Sequence, residues 1–432
     1  MEEASDLVGA TSVALQLMGL WGWGAGGVAA HVAVAAPTLF VMGSAAVLSG
    51  AKLCADPPAV YEELIAVIFI LVASVSWTFK ASAFVGQRER LQALAAHLVG
   101  AGRNYGGVGG GTRAQYRALA RRVFIYTQAI TAVPIAMWAL EPLLSGGQNT
   151  PLPAWLPLDL HETPAYELLC TFQAVAVTLS VEASVCLDMF FIVLMIAVAA
   201  ELHILNDNLE TIRLHPVDST PLKPADDSAA RLLRNASSLT EKELPSMQQF
   251  EFCRDNHKST NAFHGTADAR ELMYYSLVKN IQHHQLILKC VKELETAMTY
   301  SIFVLLFLNM VTICTLIIST TVLLQSDSDP TSLYKMVSSL PIVMFQTGLF
   351  CIFGQMIIDQ SERLPAAAFS SGWLEGDVRL RRALLLLMRR AASPLCIIVG
   401  RMYPLSRHTY LQLLNGSYTI FNMMYQVRGR SD

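Results

Sequence analysis

Six stretches of this chain are each long and apolar enough to cross a bilayer: Ala25 to Ser49, Leu64 to Val85, Val123 to Leu144, Leu168 to Ala200, Met298 to Leu324 and Met336 to Ile358. Hydrocarbon offers a backbone no hydrogen-bond partner, so only a helix of roughly 20 apolar residues satisfies itself there. With 53% hydrophobic and 15% charged residues over 432, the chain has too little charge to be an ordinary soluble domain, and lipid is its expected solvent. A seventh segment, Ser393 to Val427, is broken by Arg401, Pro404, Arg407 and His408 and is polar in its last half. It reads as an inner helix followed by a span. The expected fold is therefore an all-α membrane protein of seven transmembrane helices.

Basic loops stay in the cytosol, so the loops set an orientation. The loop from Gly86 to Arg122 holds seven arginines, at 88, 90, 103, 113, 117, 121 and 122, against the single acid Glu89. The next loop, Ser145 to Glu167, holds Asp159, Glu162 and Glu167 with no Lys or Arg. The loop from Asp359 to Ala392 again carries six arginines. The first and last of these belong inside, which places the N-terminus in the cytosol and the C-terminus outside. That sign argues against a G-protein-coupled receptor, as does the lack of an acidic-Arg-Tyr triplet or an Asn-Pro-x-x-Tyr. The acidic residues before the first span lack the basic flank of a cleavable signal peptide, so that span is expected to be retained.

The fourth loop, residues 201–297, is the only large soluble insert. Its middle, roughly 215–266, is rich in Pro, Ser, Asp and Asn and is expected to be partly disordered. Its ends are helical: Ala200 to Leu214 continues the fourth span, and Glu271 to Thr299 repeats apolar residues at helical spacing. Two readings stand for these ends, solvated helix extensions or a cytosolic assembly platform. The sequon at Asn235 falls on the cytosolic side, where it would stay unmodified. The glycine run from Gly106 to Gly111 has no following Lys and no preceding strand, so it reads as a flexible link. The domain plan is then residues 1–200 for spans one to four, 201–297 for this loop, 298–358 for spans five and six, and 359–432 for an anchor segment and the last helix.

Net charge of −3 gives no sign of a nucleic-acid partner. Eight scattered cysteines lack zinc spacing and read as small buried hydrophobes. His283 and His284 are adjacent and so diverge on a helix, which makes a metal site weak. No polar cluster suited to catalysis stands out, which argues against an enzyme, and no cofactor is implied. Few charges lie inside spans. Lys80 is near the end of its helix and can snorkel. Glu182 and Asp188 lie deeper and read as packed carboxyls or as part of an ion path. Glu141 lies at the edge of its span. In the last helix, Asn415, Thr419, Asn422 and Gln426 stack on one face, flanked by Leu411, Leu414, Ile420, Phe421 and Met424. Amides are costly against lipid, so this stripe marks a pore lining or an amide-bonded helix interface.

The C-terminal third resembles the insect odorant receptors. The residues that carry the resemblance are Phe350 to Gln355 (FCIFGQ), Ser361-Glu362, Ala368 to Trp373 (AFSSGW), Pro394-Leu395, Pro404-Leu405-Ser406 with Thr409 and Tyr410, and the closing Ser417 to Phe421 (SYTIF), in the family's order over about 80 residues. Phe369 stands where a Tyr is usual, and Ile420 replaces an aromatic. The resemblance implies a seven-helix subunit of a ligand-gated cation channel that detects volatile odorants. It also implies assembly as a tetramer with a shared co-receptor, residence in the plasma membrane of olfactory sensory neurons, and a cytosolic anchor domain built from helical extensions. In the pore it implies a gate at Met423 and Val427 beside Gln426, on the wet face with Thr419 and Asn422. A pocket in the outer halves of helices two to six would be apolar and aromatic. Its candidates are Phe69, Val72 and Ala73; Thr131, Pro134 and Trp138; Val177 and Val181; and Leu340 and Met344. Each also reads as plain helix packing. The alternative is a gustatory receptor of the same inverted architecture.

Overall fold

The computed structural model describes residues 8–22, 28–58, 61–105, 110–144, 152, 165–213, 263–325, 330–400 and 403–428. Asn235, the glycines at 106–109, the acidic loop apart from Leu152 and its last residues Ala165 to Glu167, and most of the fourth loop lie outside these residues, as do the side chains of Glu141 and Val427. Among the described residues the chain forms ten helices and one two-stranded ribbon. The helices are α1 (Ala10–Leu17), α2 (Val28–Ala55), α3 (Tyr61–Gly86), α4 (Arg88–Asn104), α5 (Gly110–Leu144), α6 (Ala165–Glu210), α7 (Phe263–Gln325), α8 (Pro330–Phe369), α9 (Val378–Ala391) and α10 (Arg407–Arg428). The ribbon pairs β1 (Ile398–Val399) with β2 (Tyr403–Pro404), antiparallel.

Six of these helices, α2, α3 and α5 to α8, are long and apolar enough to span a membrane. The seventh, α10, has 22 residues and owes its polarity to its amides and hydroxyls. Helix α6 is buried on nearly every side from Ala183 to Leu205, because there it forms the centre of the bundle against α5 and α8. Its own Phe190 and Phe191 pack against the rings of Trp21 and Phe84. Phe84 meets Phe190 edge-on at 5.1 Å and 88°, the geometry that ring quadrupoles favour.

Helices run through the boundaries expected between membrane and loop. α6 continues to Glu210, α7 begins at Phe263 and α8 ends at Phe369, so spans and extensions are single rods. The arginine-rich loop is itself folded: Leu91, Leu94 and Leu98 give α4 a buried face. The extensions pack on one another within the chain. Met273, Leu277, Ile287, Val291 and Leu294 of α7 are buried. Between the rods, Arg113 donates two bonds to Glu201 at 2.7 and 2.8 Å, and His283 Nε2 lies 3.0 Å from the same carboxylate. Tyr105 stacks on His283 with centroids 4.5 Å apart. The segment 393–406 is not the helix expected there. It is extended and holds the ribbon, because Pro394 and Pro404 cannot supply interior helical donors. Nor are all cysteines buried, since Cys54 is exposed and Cys396 half-buried.

His284 is buried beside the charges of Arg390 and His283, and burial first, then those charges, push its pKa down to about 4. A depressed histidine pKa means that the unfolded chain takes up a proton the folded one refuses. The stability it contributes is complete above the ordinary value near 6.5 and declines as pH falls from there towards 4. Melting of the purified protein should therefore drop by several degrees on acidification across that window. His284→Phe should flatten the drop, and an unchanged profile in that variant would remove His284 as its source.

Candidate ligand-binding site

Inside the bundle, between α3, α5, α6, α7 and α8, lies a cavity of about 100 Å³. One water needs about 10–15 Å³ on the same scale, so there is room for a small molecule. Its walls are largely apolar and aromatic, with Phe69 and Trp138 rings 6.2 Å apart on one side. Trp138 is held in place. Its indole Nε1 donates to Ser339 Oγ at 3.3 Å, Ser339 donates to the Lys335 carbonyl, and the Lys335 ammonium sits 4.2 Å over the ring. This clamp ties α5 to α8 along one side of the cavity.

The other side ends in buried charge. Lys80 of α3 donates to Asp188 and Ser184 of α6, each at 2.8 Å, and Gln346 of α8 donates to the same Asp188 oxygen. Lys80 is 2% exposed, so it does not snorkel; burial with a partner has replaced contact with the membrane surface. Glu182 is half-buried and accepts from Gln128 at 2.8 Å. Ser184 and Gln346 line the cavity, so its polar end is three helices joined by one network.

Six of the ten expected pocket residues line this cavity: Phe69, Ala73, Pro134, Trp138, Val177 and Val181. Thr131 instead faces a smaller adjoining hollow, along with Asp188 and Gln346. Val72 is half-buried outside the lining, and Leu340 packs against the cluster around the cavity. Met344 lends its carbonyl to the Tyr410 hydroxyl at 3.2 Å, on the side towards α10. On α8 the lining falls instead to Ser339, Ile342, Val343 and Gln346. That face carries its own signal in Ser339 and Gln346, seven residues apart on one side of a largely apolar span, with Ile342 and Val343 between them. Asn309 and Thr312 of α7 were also missed; a polar residue inside an apolar span was the signal that could have found them.

Helix α10 packs on α7 and α8 through its Leu413 and Ser417 side, with Ser417 1% exposed. Its opposite side is open: Asn415, Thr419 and Gln426 are exposed, Asn422 half-exposed, and Leu411, Tyr418 and Met423 stand out as exposed large hydrophobics. The C-terminal motif residues seat this helix. Gly354 lets the Leu405 backbone approach α8, where any side chain would overlap it. Gln355 accepts from the Arg407 N–H at 3.3 Å, Ser361 from the Leu395 N–H at 2.9 Å, and Ser406 caps α10 by accepting from the Thr409 N–H at 3.2 Å. Gly372 donates to the Ile212 carbonyl at 2.7 Å, closing α8 onto the end of α6.

Helices that satisfy their own backbone in lipid, wrapped round an apolar cavity and ending in an amide-faced helix, define a multi-pass membrane protein. The family model described as 7tm Odorant receptor matches residues 61–418, and the chain belongs to that family. Odorant receptor 19a of Drosophila melanogaster is 29% identical over 155 residues, which are 36% of this chain and 39% of that relative. Odorant receptor Or1 of Anopheles gambiae is 22% identical over 303 residues, 69% of this chain and 65% of the relative. The matches thus span about two fifths to two thirds of those relatives. The fold is similar to that of the insect olfactory receptor OR5 from Machilis hrabei in complex with eugenol, with a TM-score of 0.73 and 16% identity over 98% of this chain and 99% of that one.

Proposed function

We propose that this chain is the odorant-binding subunit of a ligand-gated, non-selective cation channel in the plasma membrane of olfactory sensory neurons. It assembles with a co-receptor subunit as a heterotetramer. The observation that carries this reading is the pairing of an apolar, aromatic cavity with a terminal helix whose amide face is left open by its own subunit. A second chain of the same kind, or water in a shared pore, is what such a face requires in a membrane. The arginine-rich end, with its packed rods, is the cytosolic anchor, and α10 crosses from it to the outside. The solved olfactory receptor that this fold resembles carries eugenol, a small aromatic volatile, which fits a cavity of this kind.

Ligand shifts such a channel only by binding its open form better than its closed one. Odour-evoked current should appear when the chain is expressed with the co-receptor and exposed to a volatile panel, and tags on Met1 and Asp432 should be found on opposite sides of the membrane. Tags on one side would overturn the reading. Replacing Gln426 or Met423 should change relative cation permeability or block, read from reversal potentials. Unaltered permeation in both variants would take α10 out of the pore.

A further inference from the structure

We propose that the cavity takes a neutral volatile bearing a hydroxyl group, held between Ser74 of α3 and Ser180 of α6, in preference to a hydrocarbon of the same shape; this rests on the cavity being the odorant site. Ser74 is 0% and Ser180 1% exposed, both line the cavity, and neither Oγ has a hydrogen-bond partner. A helical hydroxyl ordinarily returns its proton to the carbonyl one turn back. Thr78 on α3 and Thr178 on α6 do so, at 2.8 Å each. The two cavity serines do not, which leaves two donors and two sets of lone pairs to be met from within the cavity.

Four other polar side chains of the lining are already engaged. Ser184 accepts from Lys80, Gln346 donates to Asp188, Asn309 donates to Thr347 at 3.0 Å, and Ser339 serves Trp138. The charges at the polar end are paired with each other, so an ionised amine or carboxylate finds no counter-ion there. The remaining oxygen of Asp188 has no partner, but the hollow it borders is only about 10 Å³, on the order of one water. A hydroxyl both donates and accepts, and so can satisfy two serines at once. An ether oxygen only accepts, and a hydrocarbon leaves both serines unmet. A site built to bond a hydroxyl rejects the analogue that lacks it far more strongly than an apolar wall rejects a change of shape. Phe69, Trp138 and Val177 supply the surface for the ligand's apolar body.

The test uses the full chain with its co-receptor and two matched sets of ligands: hexanol, its methyl ether and heptane, and benzyl alcohol, its methyl ether and ethylbenzene. The alcohols should activate at concentrations about 10-fold below the ethers and about 100-fold below the hydrocarbons, as one and two unmet bonds imply. Ser74→Ala and Ser180→Ala should each cut the alcohol's advantage about 10-fold while leaving the hydrocarbon response as strong or stronger. Variants that weaken all three members of a set alike, hydrocarbons as potent as alcohols, or silence from a surface-expressed receptor would each overturn the proposal. Phe69→Ala separates this from the site assignment. It should weaken every ligand regardless of oxygen, and if it moves none of them, it is the cavity's role as the odorant site that fails.

Discussion

Lys80→Met should cost the fold about 3–5 kcal/mol, the usual consequence of leaving one member of a buried ion pair alone. Asp188 is 2% exposed and sits among apolar side chains of α6, so without the ammonium its charge has only Gln346 for company. Ser184 loses a donor in the same stroke. In practice little receptor should reach the cell surface, and what can be purified should melt well below the wild type. The pair itself is a different matter. Replacing both partners with apolar residues of similar volume is often neutral, since the desolvation of two charges goes with them. Lys80→Met with Asp188→Leu should therefore recover much of the lost surface expression. If the single variant behaves like the wild type, the ion pair is not holding α3 to α6.

Gly354→Ala should abolish odour-evoked current even where the protein is made. In a helix this exchange ordinarily gains about 1 kcal/mol from propensity. Here the added methyl meets the Leu405 backbone, which no rotamer change can move aside, and such overpacking costs about 1–3 kcal/mol. The penalty falls on the seat of α10. Gly348 gives the control, for it lies on the same helix and faces the same neighbour. A methyl there would stand 3.4 Å from the Tyr410 ring, an ordinary contact, so Gly348→Ala should keep most of the current. Equal behaviour of the two variants, measured at matched surface levels, would show that the close approach at Gly354 is unimportant.

Much of this architecture can be read from residues alone, and the reason is the solvent. A span in lipid must be apolar for its full width, so α2, α3 and α5 to α8 announce themselves, and a polar stripe as costly as that of α10 has to be explained. Pocket residues on α3, α5 and α6 came out of the same reading, since Phe69, Trp138 and Val177 belong to spans whose rotation a few polar residues fix. On α8 the marker is Ser339 with Gln346, a stripe that points to the side of Ile342 and Val343 and away from Leu340 and Met344. Pairing is also invisible to a one-dimensional pattern. Lys80 and Asp188 are 108 positions apart, and nothing in either neighbourhood points to the other. Amphipathic α4 and α9 fall in stretches that read as basic loops, because their arginines outweigh in composition the leucines that give each helix its buried face.

The continuity of α7 carries an implication for signalling. Sixty-three residues without a break make a rod of roughly 95 Å, its apolar span at one end and its extension, packed on the arginine-bearing α4 and α9, at the other. Asn309 and Thr312 of that rod touch the cavity, while Met310 lies beside Gly416 of α10. A pivot of about 3° near its midpoint would carry either tip some 2.5 Å, roughly, on that length. In the channel proposed above, a guest small enough to evaporate would bear on both α10 and the packed extensions through one lever, with no relay of loops between them.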